Sequence, residues 1–144
     1  MKPAARRASR EIVLQALYLR EQGQVSETAA LAEVTEHFTA SPEREGSEHP
    51  EWDREYADKL YSLVSEKKEE LDEQIQSHSP NWKLERMARV DLNLLRLSVA
   101  EILFLEETPP KVTLNEALEI AKVYGDENSS SFVNGILDSF LAKS

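Results

Sequence analysis

The stretch Val90–Leu105, VDLNLLRLSVAEILFL, decides the fold class of this 144-residue chain. Its apolar residues recur on most sides of a helix, and they are Leu92, Leu94, Leu95, Leu97, Val99, Ile102, Leu103 and Phe104. A helix that is apolar nearly all round is typical of the centre of a core. Thr108-Pro109-Pro110 ends the pattern, because proline interrupts a helix. We therefore expect the other elements to pack around this segment.

Two further helices are predicted after it. Thr113-Leu114-Asn115-Glu116 has the spacing of a capping box, in which the threonine hydroxyl and the glutamate carboxylate bind backbone amides at a helix start. Gly125 suits the end of that helix, and Asn128 or Ser129 is expected to cap the next. Gly135 falls in the middle of this last helix, which indicates that another helix backbone comes close there.

The segment before Val90 also has helical periodicity. The predicted helices span Ala4–Gln22, Ser26–Phe38 and Asp53–Ser77. A loop is predicted at residues 39–53, and Ser79-Pro80-Asn81 favours a boundary between an N-terminal lobe of about 1–79 and a C-terminal lobe of about 80–144. With four glycines and no convincing strand, the sequence predicts a single all-α domain, 1–144, of six or seven helices.

The net charge of −10, from 17 basic and 27 acidic residues, argues at first sight against a nucleic-acid partner. Its distribution changes that interpretation, because residues 1–20 carry five cations and one acid, whereas residues 21–79 carry 5 cations and 16 acids. A short basic head, residues 1–20, followed by an acidic body, chiefly residues 21–79, indicates an anionic partner that binds at one place on the chain. We expect the acidic body to repel RNA generally and so to suppress non-specific binding.

Several classes of site are disfavoured. The sequence has no cysteine, which excludes disulfides and thiolate metal sites, and no apolar run of 18 residues that would span a membrane. His37, His49 and His78 are too scattered for a joint metal site, and glycine-rich phosphate-binding motifs are missing. The sequence therefore predicts no catalytic site, no cofactor and no metal, and the cytoplasm is the default location.

Two features carry functional information. The first is a basic stripe of four cations on one face of the first helix, namely Lys2, Arg6, Arg7 and Arg10. Arginine matches phosphate geometry, although such a stripe also serves to balance the acidic body or to anchor the terminus through salt bridges. The second is Asp126–Phe132, where free amides at a helix start, with Asn128 and three serines, predict a small anion-binding nest.

Blocks of sequence spread in order over nearly the whole chain point to a family. They are Ala4-Ala5-Arg6-Arg7, Gln15-Ala16-Leu17-Tyr18, Val90-Asp91 with Leu95-Arg96-Leu97 and Glu101, Pro110–Ala117, Ala121-Lys122 with Tyr124-Gly125, and Ser129 with Phe132–Asp138. Together these blocks resemble the NusB family of bacterial transcription antitermination factors. The resemblance implies two small helical bundles, a ribosomal protein partner called NusE, and joint binding of single-stranded boxA RNA. It also implies a complex that joins RNA polymerase to other Nus factors, mainly during rRNA transcription.

Carried over by position, the resemblance assigns roles to particular residues. Those implied to contact RNA are Lys2, Arg6, Arg7, Arg10, Asn128, Ser129, Ser130, Ser131 and Phe132. Tyr18 and Asp91 are implied to face NusE, with Arg96 nearby either structural or interfacial. The sequence departs from many members of the family in two places, because they often have an acid at the position of Asn128 and a base near that of Ser131, and both residues are neutral here.

Two other functions stay open at this point. One is a protein-interaction module or homodimer without direct RNA binding, using Tyr18, Asp91 and the apolar half of the first helix; some members of the family form homodimers that cover the RNA-binding face. The other is the recognition domain of an RNA-modifying enzyme, since a NusB-like domain precedes some rRNA cytosine methyltransferases. The lack of a cofactor-binding glycine motif disfavours this second alternative.

Overall fold

A computed structural model describes residues 3–23, 25–40 and 52–141, with side chains at 5–23, 25–37 and 52–141. These ranges contain seven α-helices, one short 3-10 turn and no strand, which confirms the all-α prediction. The chain divides into two compact units, Met1–Tyr61 and Ser62–Ser144. Lys2 and most of the predicted 39–53 loop lie outside the described residues.

The first unit contains α1 (Pro3–Glu21), α2 (Glu27–Ala40) and the beginning of α3 (Arg54–Glu66), and α1 packs against α2. Its largest fully buried side chains are Ile12, Leu14, Leu17 and Leu60. Ser26 caps α2 as predicted, because its hydroxyl accepts a hydrogen bond from the Ala29 N–H at 3.2 Å. Asp53 caps α3 in the same way through the Tyr56 N–H at 3.1 Å. Both helix starts are therefore fixed by side chains.

The second unit is built around one central helix. It contains α4 (Lys68–His78), the 3-10 turn Leu84–Arg86, α5 (Arg89–Phe104), α6 (Pro110–Tyr124) and α7 (Ser129–Leu141). Helix α5 packs against α4, α6 and α7, and every residue from Asp91 to Glu101 is buried. The central position expected for this segment is therefore confirmed within the second unit. The lobe boundary predicted near residue 79 falls at the end of α4, whereas the two units divide within α3.

The single long helix predicted over Asp53–Ser77 is wrong in one respect, because Lys67 separates α3 from α4. The hydrogen bonds on either side keep helical spacing: Lys67 N–H donates to the Leu63 carbonyl at 2.9 Å, and Leu71 N–H donates to the Lys67 carbonyl at 2.8 Å. The interruption is therefore local to the backbone of Lys67, at φ −104° and ψ 14°. Lys67 is half-buried, and its Nζ lies 5.4 Å from the centre of the Phe104 ring of α5.

The capping box predicted at Thr113–Glu116 is also wrong. Helix α6 begins one turn earlier, at Pro110, whose fixed backbone angle suits the first position of a helix. Thr113 therefore lies inside the helix, where its buried hydroxyl donates a hydrogen bond to Glu101 Oε1 at 2.8 Å. The threonine satisfies a buried carboxylate of α5 and leaves the helix start to proline.

Gly135 does not have the close helix neighbour that its position predicts. It lies on the exposed side of α7, and an added Cβ there would meet no described atom within 4 Å. Among the glycines that the structure describes, the one that needs its small size is Gly125, because a Cβ at that position would overlap the side chain of Ser129. The close approach thus occurs at the start of α7 and not in its middle.

Candidate nucleic-acid interface

Two arginines of the basic stripe, Arg6 and Arg10, lie beside the ring of Tyr56 in the first unit, and together with their neighbour Arg7 we call them the arginine cluster. The guanidinium carbon of Arg6 lies 4.4 Å from the centre of the Tyr56 ring, and that of Arg10 lies 5.7 Å from it. Tyr56 is buried in the first turn of α3, where Asp53 also hydrogen-bonds to Ser9 of α1 through its N–H at 2.8 Å. Cation–π contact therefore orders these guanidinium groups relative to α3.

The stripe is not uniformly exposed. Periodicity alone places Arg10 on the solvent face, but its residue is only 2% exposed, because it lies beside the Tyr56 ring. Arg6 and Arg7 are half-buried and keep part of their surface in contact with solvent. Within the described residues, Arg6 and Arg7 are thus the members of the stripe that present cationic surface to solvent. Arg10 is buried beside Tyr56 and does not.

Tyr18 lies near the end of α1, on a turn that is anchored by its neighbours. Arg20 pairs with Glu27 at 3.0 Å and lies 5.7 Å from the centre of the Tyr61 ring. The Tyr61 hydroxyl donates to the Glu27 carbonyl at 2.6 Å, and burial raises the pKa of this phenol, an effect that Arg20 partly offsets. Tyr18 itself is 42% exposed, so its ring is available to a partner.

The start of α7 is held by a carboxylate of the chain itself. Asp126 Oδ1 accepts hydrogen bonds from the Asn128 N–H at 2.8 Å and from the Ser129 hydroxyl at 3.3 Å, while Ser129 Oγ accepts from the Asp126 N–H at 3.0 Å. Ser129 is buried by these contacts. The predicted anion-binding nest thus already holds an anion, which opposes a phosphate there.

The other residues predicted at the start of α7 remain accessible. Asn128 and Ser131 are exposed, and Ser130 and Phe132 are half-buried. The Phe132 ring meets the edge of Trp82, with ring centres 5.8 Å apart and an angle of 86° between the planes. The start of α7 therefore presents a polar and aromatic surface.

Trp82 is a residue that sequence reasoning missed. It is 57% exposed, and it belongs to the segment between α4 and the 3-10 turn. Gln76 fixes this segment, because its Nε2 donates to the Ser79 and Trp82 carbonyls at 3.0 and 2.8 Å and its Oε1 accepts from the Leu84 N–H at 3.3 Å. No periodic pattern includes Trp82, so the sequence signal available was an isolated tryptophan beside a predicted helix end.

A cavity of about 160 Å³ opens beside Trp82, and we call it the Trp82 pocket. Its wall includes Trp82, Arg86, Met87, Asp91, Asn128 and Phe132. The pocket thus brings together two residues predicted to contact RNA, Asn128 and Phe132, with Asp91, which the resemblance places toward NusE. All of these residues belong to the second unit, whereas Arg6 and Arg7 belong to the first.

Asp91 is the buried acid of this pocket. It lies in the first turn of α5, is 7% exposed, and its Oδ1 has no hydrogen-bond partner among the described residues. Burial raises the pKa of its carboxyl; hydrogen bonding with the Ser129 side chain lowers the pKa in part, and the Asp126 charge raises it. An unpaired buried acceptor is costly to folding, so Asp91 is a candidate for ligand contact.

Arg96 has a structural environment. Its Nε and Nη2 donate to the two carboxylate oxygens of Asp72 at 2.8 and 3.1 Å, and its Nη1 donates to Asn93 Oδ1 at 3.0 Å. This bidentate geometry joins α5 to α4 and buries the guanidinium almost completely. Of the two roles open for Arg96, the geometry favours the structural one.

Metal-binding and membrane-spanning features are not found in the described part of the chain. There, no group of three or more His, Asp or Glu side chains is placed to hold a metal ion. Among the same residues, no helix combines the length and the apolar character needed to cross a membrane.

The chain is thus a small all-helical protein of two units, with an arginine cluster in the first unit and an aromatic pocket in the second. Residues 7–142 match the NusB family. The chain therefore belongs to the NusB family.

Individual relatives agree with this assignment. A transcription antitermination protein NusB from Trichlorobacter lovleyi is 45% identical over 137 residues, which cover 95% of this chain and 90% of the relative. The corresponding protein of Myxococcus xanthus is 42% identical over 134 residues, 93% of this chain and 92% of the relative. A chain in a crystal structure of antitermination factors NusB and NusE in complex with dsRNA is similar at a TM-score of 0.78 and 27% identity, with 96% of each chain covered.

Proposed function

We propose that this chain is a cytoplasmic, non-catalytic transcription antitermination factor that binds boxA-type single-stranded RNA together with the ribosomal protein NusE. It acts within the RNA polymerase antitermination complex through other Nus factors, chiefly during rRNA transcription. Membership of the NusB family supports this proposal, as does the likeness to a chain solved with NusE and dsRNA.

The observation that carries RNA binding is the arginine cluster at Tyr56. Guanidinium groups that are ordered before a ligand arrives lose less side-chain entropy on binding, which favours phosphate contact. We assign phosphate contact to Arg6 and Arg7, and also to Lys2, which lies outside the described residues. Arg10 is buried beside Tyr56 and is assigned a structural role. Because single-strand recognition combines backbone charge with stacking on aromatic rings, the start of α7 complements the cluster chemically.

The other residues that the family resemblance assigns to RNA or NusE fall into two groups, those accessible to a partner and those with a structural role. Asn128, Ser130, Ser131 and Phe132 offer accessible polar and aromatic surface for the RNA strand, and Ser129 supports them from a buried position. Exposed Tyr18 is proposed to contact NusE. Arg96 is proposed to maintain the second unit.

The test is a salt titration of binding to fluorescently labelled single-stranded boxA RNA, followed by anisotropy. With three phosphates contacted, by Lys2, Arg6 and Arg7, log K for the natural chain is expected to fall with log salt at a slope of about −2, from ~0.7 per phosphate on single strands. The double variant Arg6→Ala/Arg7→Ala removes two of these contacts. Its slope is expected to be shallower by about 1.4, and its affinity lower, at unchanged helicity.

The matched control removes two exposed cations from α6, as Lys111→Ala/Lys122→Ala. It changes the net charge equally but is expected to keep the slope of the natural chain. A slope near zero for the natural chain, or equal losses in both double variants, contradicts phosphate contact at the arginine cluster. NusE binding without any boxA binding would favour the protein-interaction alternative.

A further inference from the structure

A buried serine of α1, one turn beyond Arg6, holds the start of α3 against this helix. Ser9 is fully buried, and its Oγ accepts a hydrogen bond from the Asp53 N–H at 2.8 Å. The same Oγ lies 2.9 Å from the Asp53 carbonyl and 3.0 Å from the Ala5 carbonyl, and its single proton is donated to one of them at a time. A serine inside a helix ordinarily bonds to the carbonyl four residues before it. The contacts with Asp53, 44 residues away, are therefore the ones that join two helices.

Asp53 in turn fixes the first turn of α3. Its Oδ1 accepts a hydrogen bond from the Tyr56 N–H at 3.1 Å, and its carbonyl accepts one from the Ala57 N–H at 3.0 Å. Both acceptors belong to the residue that Ser9 holds on α1. The position of the buried Tyr56 relative to α1 therefore depends on one serine hydroxyl.

The Tyr56 ring ends this series of contacts at the arginine cluster. The guanidinium carbons of Arg6 and Arg10 lie 4.4 and 5.7 Å from the ring centre, and the face of an aromatic ring attracts cations. Arg10 is buried, whereas Arg6 is half-buried and reaches solvent. An arginine side chain in water samples many rotamers, and the freedom that it loses on binding weakens binding. A ring that already restricts Arg6 reduces that loss.

From these contacts we propose that Tyr56 is a positioning residue for RNA binding: its ring holds the Arg6 guanidinium in the orientation that meets a phosphate, and the Ser9 hydroxyl holds Tyr56 in place. Both residues are buried, so they act through Arg6 and do not contact RNA. The family resemblance assigns a role to neither of them. The inference rests on the proposed function, in which Arg6 contacts RNA.

The experiment compares two replacements of Tyr56 by anisotropy of labelled boxA RNA at saturating NusE. Tyr56→Phe keeps the ring and is expected to bind within about twofold of the natural chain. Tyr56→Leu fills the buried space without a ring and is expected to bind about fivefold more weakly, because Arg6 must then be ordered on binding. The salt slope of Tyr56→Leu is expected to equal that of the natural chain, since every phosphate contact still forms. Arg6→Ala, by contrast, is expected to make the slope shallower by about 0.7.

Two variants of the first unit are the matched controls. Trp52→Leu removes the ring from a contact of the same kind, because the guanidinium carbon of Arg54 lies 5.2 Å from the Trp52 ring centre and Arg54 is not part of the basic stripe. Val34→Ala removes buried apolar surface from α2 and so lowers stability away from the stripe. Both controls are expected to bind RNA within about twofold of the natural chain. Urea denaturation checks that each variant is folded under the binding conditions.

Ser9 is tested by a double-mutant cycle with Tyr56. Ser9→Ala removes the acceptor of the Asp53 N–H, and alanine suits a helix, so the variant is expected to fold with lower stability. If Ser9 acts through Tyr56, Ser9→Ala weakens RNA binding about threefold in the natural chain and by less than about 1.5-fold in Tyr56→Leu. Ser9→Cys, which keeps a weak donor and acceptor, is expected to give an intermediate loss. Equal losses in the two backgrounds overturn the role of Ser9.

The outcomes distinguish this inference from the function on which it rests. If the natural chain binds boxA RNA and loses it in Arg6→Ala/Arg7→Ala, yet Tyr56→Leu binds within about twofold of the natural chain, the positioning role is overturned alone. Equal weakening by Tyr56→Phe or by either control also overturns it, because the loss then does not depend on this ring. No binding of any RNA by the natural chain overturns both.

Discussion

Charged residues in this protein take their roles from what lies around them. Arg10 and Arg96 are both nearly buried, one beside Tyr56 and the other on the Asp72 carboxylate, so each contributes to the fold. Asp91 is equally buried, but its Oδ1 has no partner among the described residues. A helical wheel gives the direction of a side chain and not its neighbours, which is why periodicity alone placed Arg10 on the solvent face.

Asp91 leads to a prediction about pH and stability. Burial raises the folded-state pKa of its carboxyl above the ordinary 3.8, so the folded chain binds this proton more tightly than the unfolded chain does. The buried charge therefore costs stability as the pH rises through and above 3.8, and that cost is constant once the pH exceeds the folded-state pKa. Asp91→Asn removes the cost.

The melting temperature of Asp91→Asn minus that of the natural chain is therefore expected to become more positive between about pH 4 and pH 7, as measured by thermal circular dichroism. A difference that stays flat, or that falls as the pH rises, would show that the carboxylate is not destabilised by burial.

At the scale of helices, strong periodic patterns were predictive, whereas local motifs were predictive at Ser26 and not at Thr113–Glu116. The apolar run around Leu94 fixed α5 because burial on all sides leaves few alternatives. The Thr113–Glu116 spacing failed as a cap because the same spacing occurs inside helices, and Pro110 starts α6 instead. The interruption at Lys67 was missed because the apolar pattern continues on both sides of this residue.

The two glycines near α7 give a matched pair of predictions. Gly125→Ala is expected to destabilise the chain by about 1–3 kcal/mol, because the added methyl overlaps the Ser129 side chain. Gly135→Ala is expected to stabilise it by about 0.5–1 kcal/mol, because the helix gains propensity and the methyl enters open space. Urea denaturation of both variants measures the difference, and equal effects of the same sign would refute this account of the two glycines.

At the scale of the whole molecule, charge and aromatic surface are distributed over different parts of the chain. The basic head was evident in the sequence as an excess of cations over acids in residues 1–20. The structure adds that the Tyr56 ring orders the guanidinium of Arg6. The Trp82 pocket was not predictable, because it depends on the non-helical segment that Gln76 holds after α4, from which a non-periodic tryptophan meets Phe132 of α7. The candidate site was therefore predicted where residues follow one helix and missed where they come from several segments.

The acidic body leads to a prediction about selectivity. Glu69, Glu70 and Glu73 are exposed on α4, and their replacement by glutamine removes three negative charges without touching the Asp72–Arg96 pair. If the acidic body repels RNA in general, this triple variant is expected to bind polyuridine about threefold more tightly at low salt, an effect that screening removes at high salt. Unchanged affinity at low salt would mean that this acidity serves solubility and not selectivity.

The proposed function requires that boxA RNA and NusE bind this chain together and that Arg6 and Arg7 contact the RNA. The most direct test is an anisotropy titration of boxA RNA and of a scrambled RNA, with and without NusE, using the natural chain and Arg6→Ala/Arg7→Ala. We predict that NusE tightens binding of boxA by about tenfold, an ordinary size for coupling between two ligands, and that the arginine variant loses most of this affinity. Equal affinity for boxA and scrambled RNA, unaffected by NusE and by the arginines, would contradict the account.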